Sequence, residues 1–580
     1  MAESNYSKKE VERPIKRFIR LLNVDRRDIF YVFMYSVFAG IINLSMPLGI
    51  QAIINLIAIG QTSTSWIVLT IIIALATAFA GAMKLMQFNI TELLQQRIFV
   101  RSAFEFAHRL PRLKVEDIKD NYAPELANRF FDTLSIQKGL PKIITEMSEA
   151  LLQIFFGLIL VTLYHPFFGL FSALIVFLLF LVVRISGGKG LKSSLTESKY
   201  KYKVAYWLEE LGRMMNSFKL VGYTNYPIEK TDKLVNGYLE YRRKHFSILR
   251  IQVISIIIIK TLATVSLLLI GGWLVINQEI NIGQFVAAEL VIIMLIGSLE
   301  KIVSSMEIIF DVLTSVEKIG AVTDLPLESE EGMHFDEISK PGEPIAIRLQ
   351  HVNYSVPNRD LPILEDINFE AKAGEKVAIV GWNNSGKSTL IKMIAGLLSN
   401  YTGTICYNDI PSKSINIASL RTYMGDYFTE QALFYATLEK NISMGRESVT
   451  TQEIIDVANK VGLLPYIQQL PLGLNTIIPS DGAGIPQSVI KRIILARCIV
   501  DTPKLVATES LLASTTDSEK NDLIDILLQG SWTLLSTTHH AALARRCDKV
   551  IVMKEGKVEF IGTFPELEQM PYCGDLFEDY

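Results

Sequence analysis

Cysteine is scarce in this sequence. Cys406, Cys498, Cys547 and Cys573 are the four in 580 residues, scattered through the second half without metal-ligand spacing. That excludes a cysteine-based metal centre and a disulfide framework, and leaves reduced structural thiols. Basic tracts are missing as well. The formal net charge is −3, so nothing points to nucleic acid as a partner. No cleavable signal peptide is expected, because the N-terminus is charged and the first apolar run is too long for one. Apolar residues, in contrast, are abundant. They make up 49% of the chain, and the mean hydropathy of +0.29 is high for a soluble protein. The length also exceeds what one compact domain usually holds.

The two halves differ. A membrane span needs roughly 20 apolar residues, and six runs qualify: about Ile29 to Ile57, Trp66 to Met86, Ala150 to Tyr164, Phe167 to Val183, Ile251 to Ile276 and Phe285 to Val303. The third is short, so its start is open. After about residue 340 the pattern is that of a mixed α/β domain. Between them, Leu325 to Pro344 holds Glu328, Glu330, Glu331, Gly332, Pro341 and Gly342, which is linker composition. The expected boundaries are 1–28 for an N-terminal segment, 29–322 for a membrane domain, 323–344 for a linker and 345–580 for the α/β domain.

Charge sets the expected orientation. The short connections Gly60 to Ser65, His165-Pro166 and Asn277 to Gln284 lack Lys and Arg. The long ones, about 88–145 and 184–248, carry Arg97, Arg101, Arg109, Arg112, Lys189, Lys192, Arg242, Arg243 and Lys244. Positive-inside bias then puts the long connections, both termini and the α/β domain in the cytoplasm of a multi-pass inner (plasma) membrane protein. The long connections have helical composition, so the spans should continue beyond the bilayer and turn near Tyr122-Ala123-Pro124-Glu125 and Gly212-Arg213-Met214. Those turns are expected to touch the α/β domain. Pro14 to Ile29 reads as an amphipathic helix on the inner membrane surface: Ile15, Phe18, Ile19 and Leu22 share one face, with Lys16, Arg17 and Arg20 largely elsewhere. Within the spans, Lys260 either lines a pathway or snorkels to the interface, and depth argues against a pair with Glu289.

The chemistry lies after the linker. Val377 to Val380 reads as a buried strand, followed by Gly381-Trp382-Asn383-Asn384-Ser385-Gly386-Lys387-Ser388-Thr389 and a helix through Leu398. This is the phosphate-loop pattern in its strand–loop–helix context. Loop amides and the helix N-terminus cradle phosphates, Lys387 reaches the terminal phosphates, and the Ser388 hydroxyl takes Mg²⁺. The expected fold class is therefore an all-α polytopic membrane domain of six helices plus an α/β P-loop NTPase domain that binds ATP and Mg²⁺.

The chain resembles half-size ABC exporters over nearly its whole length. Gly272 to Ile276 followed by Ile282-Gly283-Gln284-Phe285 is similar to the junction of their fifth and sixth helices. Val550 to Thr563 is similar to the hairpin after their switch histidine, which is then His539. Other family motifs are altered. Asn384 stands where the family usually has Gly; Asn tolerates positive φ, so the loop should still form. Where the family has a strand ending in Asp-Glu, the chain has Thr508-Glu509-Ser510. Counted from Pro503, Glu509 takes the metal position and Ser510 the position of the catalytic Glu. A one-residue shift makes Glu509 the catalytic acid instead. The signature segment becomes Ile485-Pro486-Gln487-Ser488-Val489, without either glycine. Thr429 takes the place of the family's loop glutamine, with Gln431 close by. Val356 takes the place of the adenine-stacking aromatic, with Tyr354 as its expected substitute.

The resemblance implies a bilayer-embedded transporter subunit that binds ATP, is impaired in hydrolysis and works with a second ABC half on an unidentified substrate. Two alternatives stand beside it: a self-sufficient homodimer with non-consensus motifs, and a nucleotide-sensing membrane scaffold without transport. No peptidase domain is expected before the first span, so this chain is not expected to mature a peptide cargo.

Overall fold

The computed structural model describes residues 14–58, 64–118, 123–339, 342–356, 361–512 and 517–577. It divides after Leu325 into two compact units, with residues 113–118 grouped in the second.

The first unit is helical: α1 (Pro14–Val24), α2 (Arg26–Asn43), α3 (Ser45–Ala58) and α4 (Ser65–Arg109), then the short α5 (Val115–Ile118) and α6 (Ala123–Asn128), of which α5 belongs to the second unit. There follow α7 (Asp132–Tyr164), α8 (Pro166–Arg213), the short α9 (Met215–Val221), α10 (Tyr226–Ile276) and α11 (Ile282–Thr323). Among the described residues, six helical stretches are long and apolar enough to cross a membrane. Four of the helices run 42 to 51 residues, well past the roughly 20 that a bilayer needs.

The first expected span is two helices. Pro47 has no N–H to give to the carbonyl of Asn43, so the ladder of α2 stops there and α3 starts afresh at Ser45. The third span gains its length at its start, since α7 begins at Asp132. It stops at Tyr164 because His165, before a proline, is extended at φ −161°, ψ 138°. The turn into α11 is fixed by a capping box: Asn281 accepts from Gln284 N at 2.8 Å, and Gln284 Oε1 accepts from Asn281 N at 2.9 Å.

The inner helix is α11. Ala287, Ala288, Val291, Ile292, Leu295 and Leu299 are all buried on it. Its neighbour α7 comes close through small residues: a Cβ at Gly139 would stand 2.3 Å from Val312, and one at Gly157 2.8 Å from Leu295. Leu75, Leu170, Phe180 and Leu269 lie on the outside of the unit, exposed, as lipid-facing side chains do.

Two ion pairs join charged residues on the long helices. Lys260 bonds Glu300 at 3.1 Å and Lys301 bonds Glu149 at 3.0 Å. Arg17 departs from the sequence reading. Instead of facing a membrane surface it is buried, paired with Glu317 at 2.9 Å and with Asp324, while Ile15 and Ile19 stay exposed.

Among the described residues, the second unit carries twelve strands: β1 (Ile347–Tyr354), β2 (Leu364–Ala371), β3 (Lys376–Gly381), β4 (Tyr401–Tyr407), β5 (Ile410–Pro411), β6 (Met424–Tyr427), β7 (Ala436–Thr437), β8 (Ile477–Ile478), β9 (Leu505–Glu509), β10 (Thr533–Thr537), β11 (Lys549–Lys554) and β12 (Lys557–Gly562). An antiparallel sheet runs β2-β1-β4-β5, a larger one runs β12-β11-β3-β10-β9-β6, and β7 pairs β8. In the larger sheet β11, β3, β10, β9 and β6 are parallel, and β12 closes the edge antiparallel. Every residue of β3, β9 and β10 is buried, the apolar run of a sheet covered on both faces.

The expected linker is partly built into this unit. Phe335 is fully buried, Met333 bridges Ile415, and Arg421 holds Glu328 through two bonds of 2.6 and 2.9 Å. Its Glu, Gly and Pro content had suggested a linker; Arg421 gives one of the acidic residues a partner. Of the two expected turns, Tyr122 lies outside the described residues. The segment before it supplies Glu116, whose carboxylate accepts from Ser399 N and Asn400 N, both at 2.9 Å.

Candidate nucleotide site

Three parallel strands end side by side. Register sets Thr537 against both Ile379 and Glu509, so the loops after β3, β9 and β10 open at one edge, where ligands bind in such sheets.

The loop after β3 is shaped by residues with positive φ. Gly381 has φ 142°, Asn384 63° and Gly386 95°. A Cβ at Gly381 would stand 2.1 Å from the Met553 carbonyl oxygen, so only glycine fits. Asn384 adopts the left-handed conformation that the sequence reading required of it. Gly386 leads into α12 (Lys387–Ile394). Asn383, Asn384 and Ser388 face solvent, Trp382 and Thr389 are half-buried, and Ser385 is buried. Amides and a hydroxyl are thus open at a helix N-terminus.

Lys387 is buried under the loop. Its Nζ donates to the carbonyls of Gly381 and Trp382, each at 2.7 Å, and lies 3.4 Å from Ser385 Oγ. Carbonyls alone do not compensate an ammonium, and burial pulls its pKa from 10.5 down to about 8. The cradle, the exposed Ser388 hydroxyl and a buried ammonium bonded to neutral oxygens fit a polyphosphate. Mg²⁺ typically takes one or two protein oxygens beside phosphates and water, and Ser388 and Glu509 are the side chains that would hold it. Trp382 is gripped from outside the loop: its ring lies 5.6 Å from that of Tyr572, with Lys554 Nζ 5.3 Å above it. No sequence signal links these positions.

Glu509 closes β9, 7% exposed, and accepts from Thr429 Oγ1 at 3.2 Å. Its neighbour Thr508 points to the other face, where its hydroxyl lies 2.7 Å from Ser536 Oγ in a buried bond. Ser510 follows at φ 49°, its N–H donating to the Thr537 carbonyl at 3.1 Å. His539 stands just past β10, half-buried. Gln431 does not stand in for the loop glutamine. Its amide donates to Asp426, which leaves Thr429 to meet Glu509.

Tyr354 is a second correction. The alternation of β1 turns Val352 and Tyr354 inward, and Tyr354 is 3% exposed in the apolar core with Leu364 and Ile391. Its ring offers no free face to a base. Val356 is half-buried against the same core. The signature segment forms the start of the helix Gln487–Ile499. Pro486 takes the N-cap with no side-chain acceptor, and its carbonyl receives Val489 N at 3.0 Å and Ile490 N at 3.1 Å. Ile485 and Val489 pack on the core, and Gln487 and Ser488 follow the cap as the first helical residues. All four cysteines are outside disulfides and buried. Burial pushes the Cys547 thiol up to about 12, as expected of inert thiols.

Comparison with known proteins agrees with this architecture. The family model described as the ABC transporter transmembrane region matches residues 29–299, and the ABC transporter model matches residues 364–508. The transport/processing ATP-binding protein ComA of Streptococcus pneumoniae is 23% identical over 573 residues, covering 96% of this chain and 78% of that protein. The β-(1→2)glucan export ATP-binding/permease protein NdvA of Bartonella henselae is 27% identical over 310 residues, 53% of this chain and 51% of that one. A solved structure of a bacterial Atm1-family ABC exporter with ATP bound shares the fold at a TM-score of 0.83 and 18% identity, over 95% of this chain and 97% of that one. With six apolar helices, a phosphate loop on a covered parallel sheet and both family regions on one polypeptide, this chain belongs to the ABC transporter family, in the exporter fold.

Proposed function

We propose that this chain is a nucleotide-gated exporter half that holds ATP without efficient hydrolysis and works beside a second ABC half carrying intact motifs. The observation that carries this reading is Ser510. It follows Glu509 at the edge where the phosphate loop opens, with φ 49° and its amide tied to Thr537. A serine hydroxyl is no general base near neutral pH without an activating partner, and losing such a base costs ~10²–10⁴ in rate.

Each residue then has a role. Gly381 to Thr389 wraps the phosphates and Lys387 supplies positive charge. Ser388 and Glu509 hold Mg²⁺, which would neutralise phosphate charge when bound. The buried Thr508–Ser536 bond of 2.7 Å supports Glu509, rather than Thr508, as the metal-side residue. Thr429 orients Glu509, and His539 is the switch residue beside the terminal phosphate. The signature segment Ile485 to Val489 would offer the opposing half a helix start without glycine amides, which weakens the composite site further. Positive-inside bias supports cytoplasmic termini and a cytoplasmic nucleotide domain in the plasma membrane. The different export roles named for the relatives leave the cargo class open.

Glu509 itself favours a second reading, a homodimer in which this carboxylate polarises water. The experiment is phosphate release by the purified chain alone, beside its Glu509→Gln variant. We expect negligible release from both. Robust release by the parent that Glu509→Gln abolishes would establish the homodimer reading instead.

A further inference from the structure

A cavity of about 440 Å³ lies inside the membrane unit between α1, α4, α7 and α11. Part of its wall is apolar, with Ile98, Phe106 and Val316. Four guanidinium side chains, Arg17, Arg20, Arg101 and Arg109, share the wall with the carboxylates of Glu105 and Asp324.

Carboxylates occupy only part of their donor capacity. Arg17 bonds Glu317 through Nη1 and Asp324 through Nη2. Arg101 uses Nη2 alone for both oxygens of Asp25, at 2.9 and 3.0 Å. Arg109 uses Nε alone, for Glu105. A guanidinium carries five N–H donors, so N–H groups of Arg101 and Arg109 remain beyond those bonds. Arg17 is the clearest case: the residue is 6% exposed, and its buried Nε has no hydrogen-bond partner. An orphaned donor on a buried cation is costly. The position is also built for it, since a Cβ at Gly320 would stand 2.1 Å from Arg17 Nη1.

Unspent guanidinium donors next to an apolar wall call for a ligand with both characters. Arginine forks match tetrahedral and planar oxyanions, and the Ile98–Phe106–Val316 surface suits a hydrocarbon chain. The helix over the cavity, α1, exposes Ile15 and Ile19, an apolar face suited to a bilayer surface. We propose that this cavity binds a phosphate-bearing amphiphile, its phosphate on the Arg17, Arg101 and Arg109 donors and its chain on the apolar wall. The source in the membrane is an anionic phospholipid; free phosphate shares only the head chemistry.

The test is native mass spectrometry of the full-length protein in detergent, with phosphatidylglycerol, diacylglycerol or inorganic phosphate added separately. One phosphatidylglycerol per chain should be retained and diacylglycerol should not. Arg109→Ala, and Ser102→Trp which fills the cavity from α4, should each weaken retention on the order of tenfold, the scale of one charge-assisted hydrogen bond. ATP binding by both variants serves as the folding control, and if Ser102→Trp fails it, Arg109→Ala decides. Equal retention of phosphatidylglycerol and diacylglycerol, or parental retention by Arg109→Ala, would overturn the proposal. Retention of inorganic phosphate with no phosphatidylglycerol would assign the donors to the free anion and overturn the amphiphile.

Discussion

Lys387 is a strained residue in the useful sense. Its ammonium is buried among carbonyls with a pKa of about 8. Below pH 8 the folded chain carries the cost of a buried charge. Between 8 and 10.5 the unfolded chain holds more protons than the folded one, so that cost fades as pH rises and the ligand-free nucleotide domain gains stability. Nucleotide binding has the opposite dependence. Phosphates stabilise the ammonium, so binding above pH 8 takes up a proton, and affinity should fall there by roughly tenfold per pH unit at most. Isothermal titration in buffers of different ionisation enthalpy measures that uptake; proton-neutral binding at pH 9 would contradict it. Lys387→Ala should lose ATP affinity at every pH.

The phosphate loop was legible in the sequence because its determinants are adjacent: Gly381, Asn384 and Gly386 each satisfy their own φ. Tyr354 was misread because an aromatic near the right position says nothing about which face of β1 it occupies. The Thr429–Glu509 bond and the Trp382–Tyr572 contact join positions 80 and 190 apart in the chain, and local pattern does not encode such meetings.

At the scale of elements, the helices follow their apolar runs, and two of their breaks follow proline. Pro47 divides the first span and Pro166 ends the third, both from the missing N–H or the clash that proline imposes. The seam between α7 and α11 rests on glycine. Gly139→Ala should destabilise the membrane unit by about 1–3 kcal/mol, because its Cβ meets Val312; a lowered thermal transition in lipid nanodiscs checks this, and an unchanged one would show that the seam relaxes. The helix α1 shows what periodicity omits. Its amphipathic pattern was plain, yet Arg17 turns inward because Glu317 and Asp324 await it about 300 residues later. Arg17→Met should loosen α1 from α11, seen as faster amide exchange across 14–24.

At the scale of the molecule, a transmembrane region and a nucleotide-binding fold occupy one chain, and on the proposed reading the residues around the reacting edge are substituted. Folding needs the phosphate loop's backbone, the covered sheet and the α7–α11 seam, and all are kept. On the proposed reading, hydrolysis would need a carboxylate where Ser510 stands. ATP occupancy and ATP turnover are thus separate properties of the chain, and Ser510→Glu should raise turnover only if the rest of the edge is competent. The most direct measurement follows both quantities in one sample: the purified chain, alone in nanodiscs with ATP and Mg²⁺, assayed for bound nucleotide and released phosphate, with Lys387→Ala as the control. Bound, intact ATP is expected, with phosphate release no greater than that of Lys387→Ala. Sustained release that Lys387→Ala abolishes would contradict that expectation.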